Sequence, residues 1–385
     1  MKRISLKERI FFGFVCSEKR VYHHWYSRFL LAQVDLDRIR RVVRRIRNWF
    51  HWLEEWSREG AHLSAIAEKA LSEGNINTAR NLYHEAAGCY HIGQHFFYFD
   101  EEKKNEANLE IRRLYKKAIS LHESSEQPER VEIPFRNTVI PGYLRLQKEK
   151  NRPLIILING MDNIKEIEQH YWANLFVEAG FNTYVFDGPG QGEMHSSMKM
   201  IPDYENAVIA IIDWFEANKH AEIDMHKIGT VGFSMGGYFS PLVAAHNKRV
   251  KCAVSNGGPA KLSLIPTGMK ANPILKGCFP HTTGKRTYRE SMEYLDYDIT
   301  KAPPLECPLL LFHSGSDKIL PNGGKHADIF MDWARGEKEL VFYPDGEHVC
   351  ANYLDEVIPK TIDWLLKQFN MNYKTEGNEN RRGPF

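Results

Sequence analysis

The stretch Ile228-Gly229-Thr230-Val231-Gly232-Phe233-Ser234-Met235-Gly236-Gly237 decides how the rest of this chain is read. Its first half is short, apolar and rich in β-formers, the pattern of a buried strand. A helical pattern follows it. Between the two stands Gly232-x-Ser234-x-Gly236, and in that position G-x-S-x-G is a nucleophile elbow. A sharp strand-to-helix turn holds the serine in a strained backbone conformation, and small flanking residues let strand and helix approach closely. The hydroxyl then sits at a helix amino end, where N–H dipoles favour developing negative charge.

Outward from the elbow, similar β-rich apolar runs recur at Leu154 to Ile158, Asn182 to Phe186, Val250 to Val254, Leu309 to Phe312 and Leu340 to Tyr343. Amphipathic helical patterns, for example Ile167 to Ala179 and Tyr204 to Asn218, lie between most of them. Strand, helix, strand at this spacing predicts a parallel sheet covered by helices on both faces. Ahead of them, Val131 to Arg136 and Thr138 to Gln147 read as a pair of strands, each with a proline that suits a sheet edge. Two antiparallel edge strands and six alternating ones make the mostly parallel eight-stranded sheet of an α/β-hydrolase fold, class α/β. The reading assigns residues 129–370 to this core, with a lid insertion at about 259–305, and residues 371–385 to a polar tail.

Residues 1–128 read as an N-terminal all-helical domain serving as cap and dimerisation region. From Val34 to Trp56 apolar residues step by three and four, one continuous helix face, with Arg38, Arg40, Arg41, Arg44, Arg45 and Arg47 on the other positions. That arginine stripe is read as a solvated face offset by Asp35, Asp37, Glu54 and Glu55, rather than as a nucleic-acid surface. Leu63 to Ala87 reads as a helical hairpin turning at Gly74-Asn75, like a single tetratricopeptide unit, and one such unit cannot stack into a solenoid. Glu102 to Glu123 is a third helix.

A serine needs a base, and the base an orienting carboxylate. In this fold they follow the nucleophile in the order Asp, His, each just beyond a later strand. Leu309 to Phe312 ends in His313-Ser314-Gly315-Ser316-Asp317, and Leu340 to Tyr343 ends in Pro344-Asp345-Gly346-Glu347-His348. Asp317 and His348 fill the two places. Asp345 and Glu347 are local rivals read as loop caps, and His313 is read as packing beneath the site. Two backbone donors are needed for an oxyanion, one from Met235 after the nucleophile and one from the loop Asn159-Gly160-Met161-Asp162 after the third strand. Met161 is the choice there, with Gly160 and Asp162 as alternatives.

Four motifs form a series: Asn159-Gly160-Met161-Asp162 continuing to Lys165-Glu166; Phe186-Asp187-Gly188-Pro189-Gly190-Gln191-Gly192-Glu193; Gly232-Phe233-Ser234-Met235-Gly236; and Gly346-Glu347-His348-Val349-Cys350. The series resembles the α/β-hydrolase group that includes 2,6-dihydroxypseudooxynicotine hydrolase and the fungal and bacterial pigment enzymes that shorten aromatic polyketides. The helical region, with its Gly74 hairpin and Tyr90-His91 stretch, resembles that group as well. The glycines of the second motif have the wrong spacing for a dinucleotide loop. The resemblance implies cofactor-free hydrolysis of a carbon–carbon bond beside a ketone. It also implies a homodimer and a polyketide-like or aromatic substrate, free or bound to a carrier protein. A carboxylesterase with the same triad is the alternative activity, and a non-catalytic adaptor using the helical region is a second alternative.

In the nicotine-pathway enzyme the resemblance implies an extra glutamate that assists a cationic substrate. Here the stretch from Lys251 to Arg289 holds no Asp or Glu but carries Lys251, Lys261, Lys270, Lys276, Lys285, Arg286 and Arg289. An anionic or phenolic substrate is therefore a better expectation than a cationic amine, the alternative being that these side chains simply face water. Tyr22, His23, His24, Trp25 and Tyr26, with His95-Phe96-Phe97-Tyr98-Phe99, are candidates to line a flat pocket but read more simply as helix core. His91 and His95 are four apart, yet without a third ligand no metal site is expected.

Lys plus Arg number 51 against 49 Asp plus Glu in 385 residues, a net charge of +2, which argues against nucleic-acid and membrane-surface roles. With 43% apolar residues the chain can fill a core. Its six cysteines, Cys16, Cys89, Cys252, Cys278, Cys307 and Cys350, are scattered as free thiols are in a reducing compartment. The apolar run Ile10 to Cys16 is too short for a signal peptide or a membrane span, so a cytoplasmic protein is expected.

Overall fold

Uninterrupted apolar runs such as Leu154 to Ile158 cannot face water on either side, and each becomes a strand buried on both faces. A computed structural model describes residues 28–372 except 96, 99 and 125. Eight strands form one sheet: β1 (Glu129–Phe135), β2 (Thr138–Arg145), β3 (Arg152–Ile158), β4 (Asn182–Phe186), β5 (Ile223–Phe233), β6 (Val250–Asn256), β7 (Leu309–Ser314) and β8 (Lys338–Tyr343). Their order is β1-β2-β4-β3-β5-β6-β7-β8. The β1–β2 and β2–β4 pairs are antiparallel and the rest parallel. This is the α/β-hydrolase sheet expected from the sequence.

The prolines need one correction. Pro134 lies on the edge strand β1, but β2 is bonded on both sides, so Pro141 is inside the sheet. It is tolerated because the β2–β4 register runs only from Gly142 to Arg145; beyond it the Pro141 carbonyl accepts the Asp187 N–H at 3.0 Å.

Alternating residues of β3 divide the core. Leu154, Ile156 and Ile158 pack with α6 (Glu205–Ala217), α7 (Met235–His246) and α10 (Gly323–Trp333); Ile155 and Leu157 pack with α5 (Glu168–Glu178) and α11 (Leu354–Gln368). Between β6 and β7 run α8 (Pro273–Thr283) and α9 (Tyr288–Leu295).

Ahead of the sheet stand α1 (Leu36–Arg45), α2 (Trp52–Ser72), α3 (Ile76–Gln94) and α4 (Glu101–Ser120). The hairpin turn falls at Gly74, whose φ of 79° suits glycine. The continuous helix expected from Val34 to Trp56 is broken. Ile46 is extended, and Asn48 leaves helical geometry to accept the Phe50 N–H at 3.0 Å, as an asparagine N-cap does. The arginine stripe is also less solvated than expected. Arg38 bonds Glu59 and Glu85 at 2.7 and 2.8 Å, and Arg45 bonds Glu59 and Glu55 at 2.7 and 3.0 Å, tying α1 to α2 and α3.

Ile164 and Ile167, from the segment after β3, belong to the hydrophobic core of this helical region. The helices therefore sit against the carboxyl end of the sheet, where the loops carrying Ser234, Asp317 and His348 emerge. No helix among the described residues is long and apolar enough to cross a membrane.

The seam between helices and sheet contains a buried polar cluster. Arg145 Nη2 reaches the Tyr115 hydroxyl at 3.0 Å and His170 Nδ1 at 2.6 Å, and the His84 ring lies 4.8 Å from that of His170. Burial, with His122 and Arg145 nearby, lowers His84 from 6.5 to about 4. Burial and then Arg145 hold His170 well below its ordinary range. Between pH 6.5 and 4 the unfolded chain binds protons that folded His84 refuses, so stability is full above pH 6.5 and falls as the pH drops through that window. Calorimetric melting temperatures are expected to fall across it, and His84→Phe to show a shallower fall. Identical slopes for the two proteins would remove His84 from the acid limb.

Candidate active site

Ser234 joins β5 to α7 with φ 54° and ψ −120°, a conformation that L-residues avoid and that only a tightly packed surrounding sustains. The packing is visible at its glycines. A β-carbon on Gly232 would stand 1.9 Å from the Gly236 oxygen, and one on Gly236 would stand 2.1 Å from the Ile158 oxygen. The serine N–H donates to the Asn256 oxygen at 2.8 Å, pinning the turn to β6.

The later loops bring the expected partners to it. His348 Nε2 lies 2.9 Å from Ser234 Oγ, and His348 Nδ1 lies 2.7 Å from Asp317 Oδ2. The other Asp317 oxygen accepts the N–H groups of Ile319 and Leu320, each at 2.8 Å. Burial works to raise the Asp317 carboxyl, but the charge and hydrogen bond of His348 and the two amides hold it below its ordinary value. A carboxylate so placed fixes the imidazole with its Nε2 facing the serine.

The histidine loop is itself strained. Val349 and Cys350 both have positive φ, 55° and 53°, and for a β-branched valine that is a genuine outlier. Ser314 Oγ anchors the loop by donating to the Glu347 oxygen at 2.6 Å. The rival acids look elsewhere: Asp345 accepts the Tyr353 hydroxyl at 2.6 Å, and the Glu347 amide is held by Asn352. His313 is buried beneath, stacked on His326, and burial pushes it down to about 3.

Met235 opens α7, so its N–H has no acceptor within the helix. Met161 lies on the loop after β3 and borders the cavity in front of Ser234. Gly160 is so close that a β-carbon there would be 3.3 Å from that of Ser234. Asp162 instead accepts the Cys278 thiol at 3.1 Å.

What holds this loop escaped the sequence reading. Gln191 Nε2 donates to the carbonyls of Asn159 and Gly160 at 3.0 and 2.8 Å, while its Oε1 accepts the Gly188 N–H at 2.9 Å and the Tyr204 hydroxyl at 2.7 Å. Both donors and both acceptor positions of the amide are in use. Asp187 adds the Asn159 side chain at 3.3 Å and the Lys165 amide at 3.0 Å. Lys165, fully buried, joins Glu166, Asp187 and Glu193 at 2.7 to 2.8 Å. Although burial would raise Glu193, Lys165 and Arg130 bring it down to about 2. The glycine-rich motif after β4 is thus a brace for the loop after β3. The signal was present in Gln191 and Asp187, which the sequence reading quoted only as family marks.

The cavity at Ser234 measures about 60 Å³; His348, Arg28, Asn163, Leu275 and Cys278 are among its walls. None of the cations expected from the insertion lines it. Lys261 pairs with Asp298 at 3.2 Å, Arg289 with Glu293 at 2.8 Å, and Lys285 lies 3.8 Å over the Tyr294 ring. Carboxylates just beyond the acid-free stretch therefore take up part of its charge. The cation at this cavity is Arg28, itself 2.9 Å from Glu168.

The aromatic candidates Tyr22, His23, His24, Trp25 and Tyr26, and also Phe96 and Phe99, lie outside the described residues. Phe97 is packed in the helical core. The His91 and His95 rings lie 5.4 Å apart, tilted at 55°, and His91 faces Gln94 and Glu168. Among the described residues the grouping able to offer three metal ligands is Glu101, His195 and His281, but the Lys199 ammonium stands 2.9 Å from His195 Nε2, in a cation's place.

Residues 153–274 match the family model described as alpha/beta hydrolase fold. The 2,6-dihydropseudooxynicotine hydrolase of Paenarthrobacter nicotinovorans is 27% identical over 319 residues, covering 82% of this chain and 83% of that one. Hydrolyase poxO of Penicillium oxalicum is 28% identical over 217 residues, 53% of this chain and 51% of its own length. The crystal structure of the 2,6-dihydroxy-pseudo-oxynicotine hydrolase superposes with a TM-score of 0.78 at 26% identity, covering 88% of this chain and 94% of that one.

The Gln191 brace has a measurable consequence. Gln191→Glu would set a carboxylate oxygen against two carbonyls, so the rate at which a fluorophosphonate labels Ser234 is expected to fall by roughly 100-fold, the scale of a lost oxyanion donor. Tyr204→Phe, which removes a single donor to Gln191, should fall less. Equal labelling rates in wild type and Gln191→Glu would show that the loop keeps its shape unaided.

Proposed function

We propose that this chain, which has the α/β-hydrolase fold, cleaves a carbon–carbon bond beside a ketone in a polyketide-like or aryl β-ketone, with Ser234 as nucleophile, His348 as acid and base, and Asp317 as the orienting group. The reading rests above all on the hydrogen-bonded line from Ser234 through His348 to Asp317, at 2.9 and 2.7 Å. The choice of a ketone is supported by the similarity, along most of its length, to a hydrolase of a pseudooxynicotine.

In the first half-reaction Ser234 Oγ adds to the ketone carbon and its proton passes to His348 Nε2. The new oxyanion is received by the N–H groups of Met161 and Met235. Collapse restores the carbonyl and breaks the carbon–carbon bond. The departing carbon keeps the electron pair and takes the proton from His348. Water, deprotonated by His348, then adds to the acyl-serine, and a carboxylic acid leaves with Ser234 regenerated. A simple carbanion is too basic to depart, so the substrate must spread that charge, as a β-diketone does by leaving as an enolate.

A carboxylesterase would share the first steps and differ only in the leaving atom. Ser234→Ala is expected to lower turnover by a factor on the order of 10⁴ or more while ligand binding persists. Mass spectrometry of the products from a β-diketone and a matched ester separates the two activities. Ester-only turnover would move the chain to the esterases, and undiminished turnover in Ser234→Ala would end the serine mechanism.

A further inference from the structure

Lys104, in the first turn of α4, is a buried cation, only 5% exposed. Its Nζ donates to the main-chain oxygen and to Oε1 of Gln94, both at 2.6 Å. An ammonium has three donors, and these contacts use two. Neither acceptor carries a charge. Burial brings Lys104 down to about 8, against the pull of the Asp162 charge. A buried ammonium with no carboxylate hydrogen-bonded to it is costly unless a further acceptor compensates it.

Lys104 borders a second cavity of about 20 Å³, the room that one water-sized group needs. Asn108, His195, His281 and Thr282 are other walls, and Met161 and Asp162 belong both to this cavity and to the one at Ser234. The helix α8 roofs the two together. Ile274, Leu275 and Cys278 lie over the Ser234 cavity and His281 and Thr282 over the Lys104 cavity, spacings that fall on one helix face. What separates the cavities is the contact of Cys278 Sγ with Asp162 Oδ1 at 3.1 Å. The Tyr98 ring lies 5.0 Å from Lys104 Nζ and supports the cation from one side. His195, brought down to about 4 mainly by burial, stays neutral at neutral pH, so the charged groups on this wall are Lys104 and the Asp162 carboxylate.

We propose that Lys104 receives a phenolic hydroxyl oxygen of the substrate, while the carbonyl to be cleaved lies at Ser234 and the substrate body passes Met161 and Asp162 beneath α8. The identity of the substrate rests on the ketone-cleaving reading above, but the contact itself does not require that reading. A competing account makes Lys104 a clip that ties the end of α3 to α4 through Gln94. That account predicts lost stability and no ligand preference.

Calorimetric titration of the Ser234→Ala protein with 3- and 4-hydroxybenzoylacetone and with unsubstituted benzoylacetone tests the contact without any turnover. One hydroxy isomer is expected to bind tighter than the unsubstituted compound by about tenfold or more, the scale of a hydrogen bond to a charged group. Adding Lys104→Met should bring that ratio to about one while benzoylacetone binds as before. No hydroxyl preference with Lys104 in place, or a preference that survives Lys104→Met, overturns the proposal. If Lys104→Met fails to fold, the absence of a hydroxyl preference with the lysine intact still overturns the proposal. Because binding is read in a protein that cannot turn over, an ester-only product pattern in wild type would refute the ketone reading and leave this result standing.

Discussion

Everything at this site depends on the approach of α7 to the end of β3 and β5, an approach so close that no β-carbon fits at Gly232 or Gly236. That crowding supports the serine at φ 54°, which in an open loop would relax. Because the turn is locked, the hydroxyl has one place to be, and two distant loops can be shaped to meet it. The cost of the strained serine is carried by the hydrophobic layers on both faces of the sheet, where Leu154 to Ile158 of β3 are all buried.

A second tier of order lies between loops rather than in regular structure. Gln191 bridges backbone to backbone, and Lys165 gathers three carboxylates beneath it. Buried charges of this kind add little net stability when compared with apolar packing, but removing one partner leaves the others stranded. Their use here is geometric: they make the loop after β3 and the loop after β4 one rigid piece. Strain in the histidine loop at Val349 belongs to the same design, since Gly257, with φ 63°, lies close enough for its missing β-carbon to fall 3.1 Å from the Val349 Cα.

Much of this was legible in the sequence because it is written in local patterns. Continuous apolar runs marked the six later strands, G-x-S-x-G between a strand and a helix marked the turn, and order along the chain marked Asp317 and His348. What stayed hidden depends on contacts between distant segments. The break at Ile46 to Asn48 turns on one asparagine capping a turn, which the three-four spacing of its apolar neighbours conceals. In the stretch without acids, the pairing of Lys261 and Arg289 stays hidden until Asp298 and Glu293 fold back on it. Gln191 and Lys104 are ordinary polar residues in sequence, and only burial and the direction of their hydrogen bonds set them apart.

The chamber before Ser234 measures about 60 Å³, room for a handful of waters. Its ceiling is α8, which also meets Asp162 through Cys278. A guest that settles here therefore lies against that helix on one side and the catalytic loops on the other, and the solvent it expels leaves an apolar ceiling over the reacting bond.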